Sequence, residues 1–204
     1  MSRIPSDQLR TAIETILKAS EDKKRNFTET IELQIGLKNY DPKKDKRFAG
    51  TFELPVCPRP NLSCCVLGDA SHCEEAEALG LPFMNTENLT SLKKNAKLVK
   101  KLCKKYAFFL ASESVLKNLP RLVGPLKEDD LMQKVNEMRS TIKFQLKKAL
   151  NLNVAAGNVT MNADDLSKNV ILSINFLISL LKKGWTNINT IHIKSSMGKP
   201  IRLF

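Results

Sequence analysis

The chain is poor in the groups on which most catalytic sites are built. Its 204 residues include two histidines, His72 and His192, and one tryptophan, and aromatic residues make up 6% of the total. Neither histidine has a neighbouring partner motif, so imidazole acid–base or nucleophilic chemistry has little to work with. The five cysteines, Cys57, Cys64, Cys65, Cys73 and Cys103, are odd in number and contain no CxxC pair. That excludes a simple disulfide framework and points to a reduced intracellular chain. Cys57, Cys73 and His72 lack the paired spacing of a zinc site, and neither metal nor other cofactor is expected. Gly68-Asp69-Ala70-Ser71 follows an apolar run as a phosphate-binding turn would, but the further glycines of a GxGxxG or Walker loop are missing. Long hydrophobic runs are absent too. Phe176-Leu177-Ile178 with Leu180-Leu181 is too short to cross a bilayer, and no apolar signal region opens the chain.

Acidic residues are also in short supply. Twenty-one Asp and Glu stand against 33 Lys and Arg, giving a formal net charge of +12 and a pI near 9.6. A surplus of this size favours a polyanionic partner, and nucleic acid is the commonest one. No basic amphipathic helix with aromatic anchors is evident, which disfavours a membrane surface.

The hydrophobic pattern has three parts. Ser6 and Asp7 open a helix, with Ser6 as its cap, and Leu9, Ile13, Ile16 and Leu17 form its apolar stripe. Thr30, Glu32 and Gln34 then alternate with Ile31, Leu33 and Ile35, the period of a strand with one wet and one buried face. A polar loop, Lys38 to Arg47, leads to a short return strand near Thr51–Leu54. After Pro55, Pro58 and Pro60 the character changes. Leu62–Leu67 reads as a strand covered on both faces, Ala70–Leu79 as a helix, Leu81–Met84 as a short strand, Leu92–Lys105 as a Lys-rich helix and Ala107–Ala111 as another buried strand. Such alternation is that of a parallel α/β unit. Beyond a helical stretch from Lys127 to Met138 the half-wet pattern returns. Thr141, Lys143 and Gln145 alternate with Ile142, Phe144 and Leu146, and Asn151 and Asn153 with Leu152 and Val154. A long helix from Ala163 carries Leu166, Val170, Ile174, Leu177 and Leu181, with Lys182, Lys183 and Gly184 at its end. A last strand runs through Thr190, His192, Lys194 and Ser196 into a turn at Met197-Gly198-Lys199-Pro200. The expected architecture is α/β in two domains. Residues 1–60 and 139–204 form a discontinuous split β–α sheet with one open polar face, and residues 61–138 form an inserted three-layer α/β/α, Rossmann-like domain. Hinges are expected near Pro58–Pro60 and Met138–Arg139.

Two stretches carry a resemblance to a known family. Thr190–Pro200, with Ser196-Met197-Gly198 at its centre, resembles the Ser/Thr-Met-Gly signature of the ribosomal protein L-one family, and Arg25–Leu33 looks like that family's N-terminal signature. Leu37-Lys38-Asn39-Tyr40-Asp41-Pro42, followed by Asp45-Lys46-Arg47-Phe48, is similar to the eukaryotic cytosolic branch, also called L-ten-a. The resemblance runs from Ser6 to Phe204. It implies a non-enzymatic constituent of the large ribosomal subunit that binds the stalk region of the rRNA and takes part in translation as the stalk moves and deacylated tRNA leaves the exit site. Cytoplasmic ribosomes, nucleolar assembly, other ribosomal components as partners and no small-molecule substrate follow from the same resemblance. A ribosome-assembly relative of the same superfamily and a nucleotide-binding enzyme on the inserted unit are the alternatives.

The polar sheet face is the expected RNA site, gathering Thr30, Glu32, Thr141, Lys143, Gln145, Thr190, His192, Lys194 and Ser196. The resemblance places its centre at Phe27, Thr30, Thr190, Ser196, Met197 and Gly198. Ser196 and Thr190 would bond RNA backbone or 2′-OH groups, and Gly198 would permit close approach. Lys143, Lys194 and Lys199 add charge, and Lys23, Lys24, Arg25, Arg139, Lys97 and Lys101 are expected as secondary contacts. Core packing is the competing expectation for Phe27 and Met197, and a solvated helix face for the run Lys93–Lys105. Two departures stand out. Asn26 occupies the place where the family puts a basic residue, and Leu126-Lys127-Glu128 follow Pro125 at once where the family has a Gly/Lys/Pro-rich loop of roughly ten residues. Either this chain lacks the loop or its numbering omits it.

Overall fold

Residues 30–37 are the spine of the larger body. Every second side chain of this strand, β1 (Thr30–Leu37), is buried and the rest are half-exposed, as period-2 alternation requires. The computed structural model describes residues 4–41, 45, 47–91, 95–112, 115, 124–126 and 131–204. The chain gathers into two compact units, residues 1–59 with 140–204, and residues 60–139.

In the first unit β1 pairs antiparallel with β8 (Asn151–Asn158) on one side and with β9 (Ile188–Ser195) on the other, and β10 (Ile201–Arg202) closes the edge beyond β9. Helices α1 (Ser6–Asp22) and α6 (Ala163–Leu180) supply Leu9, Ile13, Ile16, Leu166, Val170, Ile174 and Leu177 to the core, where they meet Ile31, Leu33, Ile191 and Ile193. The helices cover one sheet face only. A second antiparallel ribbon, β2 (Ala49–Glu53) with β7 (Thr141–Gln145), adds Phe144 and Ile142 to that core.

Buried amides tie the connections to this frame. Asn169 is fully buried on α6 and donates to the carbonyls of Val56 and Ala156, both at 2.9 Å. Asn158 accepts from Thr160 N at 3.0 Å and donates to Pro58 O at 3.4 Å. Asn187 donates to the carbonyls of Lys38 and Asn39.

The second unit holds a parallel sheet in the order β4 (Phe83–Asn85), β3 (Cys64–Gly68), β5 (Phe108–Ser112), β6 (Gly124–Leu126). All of β3 is buried. Cys64, Val66 and Leu110 meet Ala76 of α2 (Ala70–Ala78) and Leu131 and Val135 of α5 (Leu131–Ser140). The intervening Cys65, Leu67 and Ala111 meet Val115, with Leu89 of α3 (Thr86–Ser91) and Tyr106 packed against them. Alternate side chains of one strand thus enter separate apolar clusters, so the sheet is packed on both faces.

Several local expectations shift. Pro5, not Ser6, stands at the N-cap of α1, and Ser6 reaches only Asp7, because proline's fixed φ already turns the chain into the first turn. The Lys-rich stretch is not one helix over 92–105, since α4 (Ala96–Lys105) begins only after Asn95, whose side chain accepts from Lys97 N. Lys182 and Lys183 lie beyond α6, and Gly184, at φ +52°, opens a 3-10 turn (Gly184–Asn187) instead of capping that helix. Met138 and Arg139, one of the expected hinge positions, lie inside α5, which runs to Ser140, directly before β7. Lys93, Lys94, Pro42, Lys46 and Lys127–Asp130 lie outside the described residues, and with them the family loop expected after Pro125 and part of the Lys38–Arg47 loop.

Cys64 and Cys65 behave as apolar side chains. Burial is the first cause that pushes their thiols up, to about 12 and about 11 respectively. Thiolate is the reactive form, so at pH 8 a maleimide should label exposed Cys103 first and Cys57 more slowly. Cys64 and Cys65 should label only with unfolding; mass-spectrometric labelling of either at the Cys103 rate would contradict this packing. The sign for stability follows. Above about pH 9 the unfolded chain loses these protons, while the folded chain keeps them to about 11 at Cys65 and about 12 at Cys64, so stability falls as pH rises through that window.

Candidate nucleic-acid interface

The face of the four-stranded sheet opposite α1 and α6 is polar across every strand. Register sets Asn153 beside Gln34, Gln34 beside His192, and His192 beside Arg202, one row crossing β8, β1, β9 and β10. A parallel row places Glu32 between Ala155 and Lys194, and Thr190 lies beside Gly36. A Cβ on Gly36 would stand 2.8 Å from Thr190 Oγ1, so the glycine seats the threonine hydroxyl over the strand.

At one end of this face the two signature segments are fastened together. The Ser196 hydroxyl accepts from Thr30 N at 3.1 Å and donates to Thr30 O at 3.3 Å, joining residues 166 positions apart. Ser196 therefore has one lone pair left for a partner, and its main task is to staple β9's end to β1's start. Gly198 has an internal reason as well. Its N–H donates to Ser195 Oγ at 3.0 Å, and a Cβ there would stand 2.5 Å from that oxygen. Just before β1, buried Glu29 accepts from Ser20 Oγ at 3.1 Å and lies 4.0 Å from Arg25 Nε.

This bracing leaves two large apolar side chains in solvent. Phe27 is 55% exposed and Met197 60% exposed, so the core-packing expectation fails for both. Both belong to the segments that the Ser196–Thr30 bonds hold at one end of the polar face. Lys199, Lys23 and Lys24 are exposed nearby in sequence, Thr190 and Lys194 lie on the open face, and Thr30 begins it.

Not every expected residue joins this face. Thr141, Lys143 and Gln145 belong to β7, which pairs with β2, so Lys143 stands opposite Thr51 on a separate ribbon. Alternation tells which way a side chain faces but not which strand lies alongside, and β8, with Asn151 and Asn153, takes the place expected for β7. Arg25 is engaged by Glu29. Arg139 donates to Leu62 O at 3.4 Å and is half-buried in the second unit. Lys97 and Lys101 are exposed on α4, also in the second unit. Sequence reading missed a cleft of about 540 Å³ at the β2–β7 end of the first unit, where Arg47, Lys147 and Lys148 surround Phe48 and Leu146. The Lys147-Lys148 pair beside a strand end was its only signal.

The site is thus a wet sheet face edged by an exposed ring and thioether, on a chain of net charge +12. The family is then plain. Residues 17–199 match the model of the Ribosomal protein L1p/L10e family, and the chain belongs to it. Large ribosomal subunit protein uL1 of Spodoptera frugiperda is 54% identical over 215 residues, covering 100% of this chain and 99% of the relative. The uL1 proteins of Oryza sativa subsp. japonica and Drosophila melanogaster are 52% and 53% identical, covering 100% of this chain and 100% and 99% of themselves. The 215 aligned positions of the Spodoptera protein exceed this chain's 204 residues by 11, so that relative has residues with no counterpart here.

Proposed function

We propose that this protein is a structural constituent of the large ribosomal subunit, not a catalyst, and that residues 1–60 with 139–204 grip the stalk region of the large-subunit rRNA. One observation carries the siting of that grip: the Ser196–Thr30 staple. It draws the segments bearing exposed Phe27 and Met197 to one end of a polar sheet face. Phe27 and Met197 supply apolar contact to unstacked bases, Thr190 and Lys194 bond 2′-OH and phosphate groups, and Lys199, Lys23 and Lys24 hold the flanking backbone. Lys143, with Lys147 and Lys148, is a separate basic margin on the β2–β7 ribbon.

Residues 61–138 form the inserted, three-layer, Rossmann-like domain in this reading. The strand order and the apolar clusters on both faces of its sheet support it. Its part is to travel with the stalk as deacylated tRNA leaves the exit site, on cytoplasmic ribosomes assembled in the nucleolus. Identities of 54% and 52% to large-subunit ribosomal relatives favour this over an assembly factor of the same superfamily.

The test is a salt series of binding to a stalk rRNA fragment, with a shuffled fragment of equal length beside it. Affinity for the true fragment should exceed the shuffled one by at least about a thousandfold. Both should weaken with salt as counterions are released. Equal affinities would leave only charge attraction and defeat the proposal.

A further inference from the structure

The helix α4 (Ala96–Lys105) is divided cleanly along its length. At 100° per residue, Lys97, Lys100, Lys101, Lys104 and Lys105 fall within one arc of about 140°, and Leu98, Val99, Leu102 and Cys103 fill the opposite arc of similar width. That is the pattern of a helix with its apolar side on a core. Yet Leu98 is 47% exposed, Val99 37% exposed, Cys103 exposed and Leu102 only half-buried. None of the four belongs to either apolar cluster of the second unit. The helix holds five lysines and no carboxylate, and no ion pair engages them among the described residues.

We infer that α4 is a docking helix for another protein, one that offers an apolar groove rimmed by Asp and Glu. Charge selects the occupant, since five lysines with no ion pair among the described residues, one of them (Lys105) set over the Tyr106 ring, call for carboxylates or phosphates on the facing surface. The apolar arc then separates those two. A phosphate backbone would use the lysines and leave Leu98, Val99 and Leu102 in water, whereas a deep groove holds the apolar arc on its floor and meets the lysines with the acidic walls at its rim. An anionic bilayer is the poorer match, because the helix rises only about 15 Å and its apolar arc has no aromatic anchor. This surface lies outside the rRNA site proposed above and does not rest on it.

The experiment uses the full chain and a fluorescent 18-residue helical peptide designed with leucines along one face and glutamates flanking them. A control peptide replaces each glutamate with lysine. Anisotropy is read for the native chain, for Leu98→Ser/Val99→Ser, and for Lys97→Gln/Lys101→Gln/Lys105→Gln. A single-stranded RNA and vesicles of phosphatidylserine and phosphatidylcholine serve as competitors. The acidic peptide should bind the native chain and the control should not, and each variant should weaken binding at least tenfold. Leu98→Ser/Val99→Ser should keep the native circular dichroism spectrum and thermal midpoint, which shows that the variant is folded. No binding of the acidic peptide overturns the inference. So does peptide binding that Leu98→Ser/Val99→Ser leaves unchanged, or RNA or vesicles that displace the peptide and themselves bind more weakly to both variants.

Discussion

Phe27→Ala/Met197→Ala should weaken binding to the stalk rRNA by about 2–4 kcal/mol, roughly 30- to 700-fold, while the thermal midpoint stays within about 2 °C of the native chain. Both side chains are more than half exposed, so truncating them removes little folded-state packing. All of the loss then falls on the complex. Ser196→Ala is the informative comparison, because its hydroxyl serves Thr30 N and Thr30 O inside the protein. That variant should lose about 1–2 kcal/mol of stability and weaken RNA binding indirectly, by freeing the two signature segments from one another. Isothermal titration and thermal melts on the same samples separate the two effects. If the Phe27/Met197 variant binds like the native chain, the siting of the grip is wrong. If it melts as early as Ser196→Ala, the two side chains are structural after all.

The largest effect on stability is expected at Asn169. Asn169→Leu keeps the approximate volume but leaves the carbonyls of Val56 and Ala156 without the donor each now has at 2.9 Å. The bond to Ala156 is buried and that to Val56 part-buried; a buried acceptor left unpaired costs about 1–3 kcal/mol, so the variant should lose about 1–4 kcal/mol in urea unfolding. The amide also fastens the segment after β2 to both α6 and β8, so β8 amides should exchange hydrogen faster in the variant. A loss below about 1 kcal/mol would mean that water replaces the amide readily and that the site is less dry than its burial indicates.

The Asn169 tie could not be read from the chain. A lone asparagine between Lys168 and Val170 is ordinary in a helix, and its partners lie 113 and 13 residues away. The helix around it was legible, because Leu166, Val170, Ile174 and Leu177 repeat at helical spacing and all four are buried. The same holds for β1 and for β9 from Thr190 onward, whose alternation survives in their burial residue by residue. For β3, a continuous apolar run meant a strand covered on both faces, and it is buried throughout.

What the sequence determined by itself was local periodicity, charge balance and the two signature stretches. Each of these depends on neighbours in the chain, and side-chain direction follows the backbone period wherever the chain later goes. The tertiary structure decided which strands lie together and what the polar groups bind. It moved Thr141, Lys143 and Gln145 to a ribbon with β2 and put Asn151 and Asn153 on the open face. It turned Ser196 and Gly198 inward, as staple and turn, and left Phe27 and Met197 facing solvent. Pairing across more than a hundred residues is set by packing free energy summed over the whole core, which no local pattern encodes.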